Sequence, residues 1–177
     1  YADAARELGA ALAERGYGLV YGGSSMGLMG LLADSCLEAG GFVEGIIPDP
    51  LFLKESAHPR LSARTMVPSM HARKATMLAR SNAFITLPGG LGTLESLFEV
   101  ITWAQLGIHA KPIAVWNVSG YYDGLFQFVE TSAAHGFISS AHRRFVAIRN
   151  SLADIFTHFD QWKTPTSIAT WIDHDQM

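Results

Sequence analysis

The chain has one cysteine, Cys36, among 177 residues, so no disulfide can form within it. That fits a reducing, cytoplasmic compartment. Charge is also scarce: only 16% of residues carry it, and the net charge is −3. With no block of Lys and Arg, a nucleic-acid-binding surface is not expected, although a local basic pocket is compatible with this composition. No apolar run reaches the ~20 residues needed to span a bilayer, so no membrane partner is expected, and no secretory leader is visible. The seven histidines show neither His-x-His nor His-Glu-x-x-His spacing, which leaves a metal site without support. No Gly-x-Ser-x-Gly marks a nucleophilic serine. Linkers, repeats and low-complexity tracts are missing too. What the chain does have is 49% hydrophobic residues, enough for the core of one domain.

Helical and strand patterns alternate along it. Ala4, Leu8, Ala11 and Leu12 share one helical face, predicting a helix over 2–15 that Gly16 stops. Because the chain opens inside this helix, a preceding strand is expected to be missing. Strands are predicted over 17–21, 42–47, 65–68, 83–87, 112–116 and 145–148. Helices are predicted over 28–39, 70–81, 92–106, 121–134 and 152–159. Residues 49–64 have no clear period and read as a functional loop. The alternation predicts an α/β, Rossmann-like three-layer sandwich with a mostly parallel sheet. One domain over 1–160 is expected, followed by an irregular tail over 161–177. Ligands of such folds bind at the carboxyl ends of the strands.

Two glycine turns lie at those ends. Pro88-Gly89-Gly90-Leu91-Gly92-Thr93-Leu94-Glu95 joins a strand to a helix, and Gly22-Gly23-Ser24-Ser25-Met26-Gly27 does the same earlier. Such turns present backbone N–H groups at the positive end of a helix dipole, which suits a phosphate. Neither is a P-loop, since no Gly-Lys-Ser/Thr follows, nor a dinucleotide fingerprint. A glycine turn of this kind, taken alone, is often just a tight connection, and the Gly22 turn is the weaker signal of the two. Ser69 can cap the helix that begins Met70-His71-Ala72-Arg73-Lys74. Arg73 and Lys74 sit in its first turns, where the dipole disfavours cations, and are either solvated or compensated by a bound anion. Glu95 and Glu99 lie one turn apart at the mouth of the second turn, with Ser96 between them and Thr102 further along.

Together these segments resemble the Lonely Guy family, the cytokinin riboside 5′-monophosphate phosphoribohydrolases, whose members often carry the older label "possible lysine decarboxylase". The resemblance covers about residues 1–159 and is especially close over Ile101-Thr102-Trp103-Ala104-Gln105-Leu106-Gly107-Ile108-His109. It implies a Rossmann-like homodimer that hydrolyses the N-glycosidic bond of a nucleoside 5′-monophosphate, releasing free base and ribose 5-phosphate, without a cofactor. Arg73 falls on the family's catalytic arginine. Gly23, Ser24, Glu55, Lys74, Gly89, Gly90, Leu91, Gly92, Thr93, Leu94, Glu95, Ser96 and Thr102 fall on or beside substrate-binding positions.

One departure matters most. The family pattern is Pro-Gly-Gly-x-Gly-Thr-x-x-Glu, and its final glutamate falls on Ser96. A serine hydroxyl can hydrogen-bond ribose but carries protons poorly at neutral pH. Helix geometry directs Glu95 about 100° away from Ser96, and Glu99 is closer in angle but one turn deeper. Two hypotheses follow. In the first, Arg73 with Glu95 or Glu99 hydrolyses a purine nucleotide through an oxocarbenium-like state. In the second, the chain binds nucleoside monophosphates with little or no catalysis. Lysine decarboxylation is disfavoured, because it normally needs pyridoxal phosphate on a Schiff-base lysine.

Overall fold

The computed structural model describes residues 1–49, 57–139 and 142–163. The expected substrate-contacting Glu55 and most of the expected tail lie outside the described residues. The chain divides into two compact units, Tyr1–Ser81 and Asn82–Met177.

The first unit runs α1 (Ala2–Glu14), β1 (Leu19–Tyr21), α2 (Gly27–Glu38), β2 (Val43–Pro48), β3 (Ala63–Val67) and α3 (Met70–Arg80). Its strands pair in parallel in the order β1-β2-β3, with Tyr21 opposite Gly45 and Ile46 opposite Thr65. Helix α1 buries Ala4, Ala5, Leu8 and Leu12. It packs on α2 so closely that a Cβ on Gly9 would come within 2.9 Å of the Cys36 nitrogen. Cys36 is fully buried there, and burial pushes its thiol pKa up, which leaves it unreactive.

Strand β1 starts two residues later than the predicted 17–21. The α1 exit uses those residues: Gly16 turns left-handed at φ 74°, and Tyr17 N–H returns to Leu12 O at 2.9 Å. The same paired closure ends α2, α4 and α5 at Gly40, Gly107 and Gly136. Strand β3 begins at Ala63, ahead of the predicted 65, because it stays in register with Glu44 along β2.

The second unit runs β4 (Phe84–Thr86), α4 (Leu91–Gln105), β5 (Ile113–Trp116), α5 (Asp123–Ala134), β6 (Val146–Arg149) and α6 (Leu152–Asp160). Strands pair in parallel in the order β4-β5-β6. Every residue of central β5 is buried, the pattern of a parallel strand covered on both faces. Leu97, Ala104, Ile113, Val115, Tyr122 and Phe145 form the core, with Leu94 packed against it. Each large apolar side chain there stabilises by about 1.5–3 kcal/mol. Helix α5 starts at Asp123, two residues after the predicted 121, because Tyr121 and Tyr122 belong to the turn leaving β5. All strand pairings between named strands are parallel, and helices alternate with them, as the α/β reading requires. Among the described residues no helix is long and apolar enough to cross a membrane.

Candidate functional site

In the first unit, the functional side chains gather at the carboxyl ends of β1 and β2. Ser69 caps α3 by accepting Ala72 N–H at 3.1 Å, which sets the direction of the helix and of Arg73 on it. Arg73 Nη2–H donates to Gly22 O at 2.6 Å and Nε–H to Ile46 O at 3.1 Å. Carbonyls have no net charge, so these two bonds orient the guanidinium without neutralising it. A Cβ on Gly22 would land on that guanidinium, so this close approach requires glycine. Lys74 follows, half-buried.

The turn itself is tightly braced. Gly23 has φ 79° and its carbonyl accepts His58 N–H at 2.8 Å. Ser24 is 2% exposed, its Oγ accepts Met26 N–H at 3.1 Å, and its carbonyl accepts Tyr21 O–H at 3.1 Å. Burial pushes the Tyr21 phenol well above its ordinary pKa, with Asp34 adding to the effect. The expected substrate contact Ser24 therefore uses its hydroxyl oxygen to shape the turn. His58, buried beside it, accepts Arg60 N–H on Nδ1 at 3.2 Å. That assigns the ring proton to Nε2, which donates to Asp34 Oδ1 at 3.1 Å. Arg60 pairs with the same carboxylate and holds its pKa below the usual range, aided by the His58 bond and opposed by burial. With both ring nitrogens engaged, His58 is a brace and not a base.

In the second unit, residues 88–96 carry β4 into α4. Gly90 is the N-cap and has no side chain to offer; its carbonyl accepts Thr93 N–H at 3.0 Å and Leu94 N–H at 3.1 Å, so the amides of Leu91 and Gly92 are the ones a capping side chain does not reach. A Cβ on Gly89 would press within 2.8 Å of the Thr93 Cβ. Leu91 is fully out in solvent, while Leu94 packs on the core. Glu95 and Ser96 are both exposed, and Ser96 Oγ–H donates to Glu95 Oε2 at 3.5 Å. The length of the glutamate side chain thus overcomes the angular separation expected from the helix. Glu99 is half-buried one turn on. Thr102 commits its hydroxyl proton to Phe98 O, four residues back, at 2.7 Å. Among the described residues no group of three His, Cys, Asp or Glu converges as a metal site would require.

The family described as "Possible lysine decarboxylase" matches residues 29–159. A probable cytokinin riboside 5′-monophosphate phosphoribohydrolase of Oryza sativa subsp. japonica, LOGL9, is 54% identical over 81% of this chain and 63% of its own length. The corresponding enzyme LOG1 of Arabidopsis thaliana is 45% identical over 92% of this chain and 76% of its own. The chain belongs to the Lonely Guy family. It spans a little under two thirds of the length of the rice relative. Among solved structures, the molybdenum cofactor binding protein from the phototrophic bacterium Rippkaea orientalis superposes with a TM-score of 0.67 at 20% identity. That superposition covers 90% of this chain and 85% of that one. At that identity the likeness speaks for the Rossmann-type fold alone.

Within this Lonely Guy chain, Arg73 lies against the Gly22 turn of the first unit, and Glu95 lies beside Ser96 in the second. Sequence reasoning missed Asp34 and His58 as turn braces, and it missed Tyr121 and Tyr122. Tyr121 O–H donates to Gly89 O at 2.8 Å and Tyr122 O–H to Leu87 O at 2.7 Å. The only signal was the sequence His58-Pro59-Arg60, set in a loop already read as functional.

Proposed function

We propose that the chain hydrolyses the N-glycosidic bond of cytokinin riboside 5′-monophosphates, giving the free base and ribose 5-phosphate. The names of its relatives support this reading, and one observation carries it: a half-buried arginine is aimed by two backbone carbonyls at a glycine turn on the strand ends. Backbone amides of a glycine turn at a helix N-terminus hold the phosphate. Arg73 offsets its charge or orients the ribose. As the bond from the anomeric carbon to the base nitrogen breaks, positive charge grows on the ribose ring. Glu95, the carboxylate within reach of Ser96, stabilises that charge and positions a water, with Glu99 as the other candidate. The water oxygen bonds to the anomeric carbon, and its hydrogen ends on the departing base.

The assay is incubation with isopentenyladenosine 5′-monophosphate or AMP, following free base by chromatography. A second reading, binding with little catalysis, draws on Ser96 in place of the family glutamate. It predicts bound AMP and no free adenine in that assay.

A second copy of the chain is the proposed partner. Phe98, 41% exposed, lines a groove of about 650 Å³ along α4, α5 and β6 together with Leu97, Ile101, Phe126, Val129 and Ile138. Such an apolar face favours burial against another copy. A cytoplasmic location is proposed from the single buried thiol.

A further inference from the structure

Tyr121 and Tyr122 have no part in the chemistry above, yet both phenols end on the turn that opens α4. Their setting is elaborately fixed. Asn117, directly after β5, accepts Tyr122 N–H on Oδ1 at 2.8 Å and donates to Asp123 Oδ1 at 2.7 Å. Its own N–H reaches Arg149 O at the end of β6 at 2.8 Å. Ser119 then sits at φ 53°, ψ 30°, a left-handed conformation that costs a non-glycine residue about 1–2 kcal/mol. Strain of this kind persists only where the surroundings over-determine it, and it clusters at functional sites. The two rings meet edge to face with centroids 4.8 Å apart. Tyr122 is buried, which raises its phenol pKa to about 12 and keeps it a donor.

The two hydroxyls do different things. Leu87 O belongs to the peptide before Pro88, which has no N–H, so Tyr122 anchors the end of the strand. Gly89 O belongs to the Gly89–Gly90 peptide. That unit is planar and trans, so its N–H points opposite to its carbonyl. Glycine on both sides leaves this plane free to flip, because no Cβ resists either orientation. A flipped plane would turn a carbonyl oxygen toward an anion at the helix N-terminus.

We propose that Tyr121 is a positioning residue for nucleotide binding: its hydroxyl holds Gly89 O so that Gly90 N–H faces the phosphate. This rests on the reading of residues 88–93 as the nucleotide turn. Tyr121 is 44% exposed, so Tyr121→Phe removes one oxygen and keeps the ring.

The test measures base release from isopentenyladenosine 5′-monophosphate, AMP affinity by calorimetry, inhibition by inorganic phosphate, and thermal melting. In Tyr121→Phe, KM, the AMP Kd and the phosphate inhibition constant should each rise about five- to tenfold. The kcat should stay within about twofold and Tm within about 2 °C, because no buried packing is lost. A variant with wild-type KM and Kd beside an active wild type overturns the Tyr121 role and leaves the turn assignment standing. So does a fall in kcat at unchanged KM. A wild type that neither binds AMP nor releases base overturns both.

Discussion

In the proposed hydrolysis, Ser96 is the residue on which catalytic strength turns. Its hydroxyl donates to Glu95, so a carboxylate lies beside the position where the family places its own. A carboxylate borrowed from one position along the helix is exposed and meets Ser96 only at 3.5 Å, so it is poorly preorganised for the role of that position. A well-placed acid–base group contributes about 10²- to 10⁴-fold. Ser96→Glu should therefore raise kcat by about tenfold or more while KM stays within about threefold. An unchanged kcat in steady-state assays would show that position 96 is outside the chemistry. The identity of Ser96 was legible from the motif alone. Its bond to Glu95 was not, since a helical wheel places Cβ atoms and not the reach of a glutamate. Arg73 was legible as a misplaced cation on α3. Its partners Gly22 and Ile46 lie 51 and 27 residues away, contacts no local pattern can carry.

At the scale of elements, glycine marked the boundaries well. Gly16, Gly40, Gly107 and Gly136 each follow a helix, and each has the positive φ that ends one. The start of β3 was hidden because Ala63 and Arg64 have weak strand preference and are placed by pairing with β2. The turn before α5 was hidden because Tyr121 and Tyr122 continue its apolar pattern. The join from α4 to β5 carries a pH dependence. His109 is buried, accepts Lys111 N–H on Nδ1 at 3.1 Å and donates from Nε2 to Val100 O at 2.9 Å. Burial, with a small push from Lys111 and against the Val100 bond, depresses its pKa below 6.5. The unfolded chain then takes up a proton that the folded one refuses. Stability is full above about pH 6.5 and falls as the pH drops toward the folded value. Half-buried His158 shifts in the same direction, through burial and the nearby Arg149 charge. Thermal melts should show Tm falling from pH 7 to 5, and His109→Gln should flatten part of that slope. An identical slope in the variant would remove His109 as its cause.

At the scale of the whole molecule, alternating patterns and two glycine turns were enough to read the α/β class and the family. The joint motif set, and no single motif, carried that reading. The apolar stretch Phe98–Leu106 was legible as a candidate subunit interface, while the residues facing it across the groove, Phe126, Val129 and Ile138, lie on segments that no local pattern joins to α4. Sedimentation should give a mass of about twice 19.2 kDa, and Phe98→Asp should return it to that of one chain. A wild-type mass of one chain would contradict the proposed pairing. The account as a whole stands on one chemical event. The most direct measurement is chromatography of the products after isopentenyladenosine 5′-monophosphate meets the purified protein, with Arg73→Ala run beside it. The account predicts free isopentenyladenine and ribose 5-phosphate in equal amounts, and a loss of about 10²-fold or more in the variant, as when a preorganised charge partner is removed. Intact nucleotide after incubation with a folded, nucleotide-binding wild type, or equal release by the Arg73 variant, would contradict it.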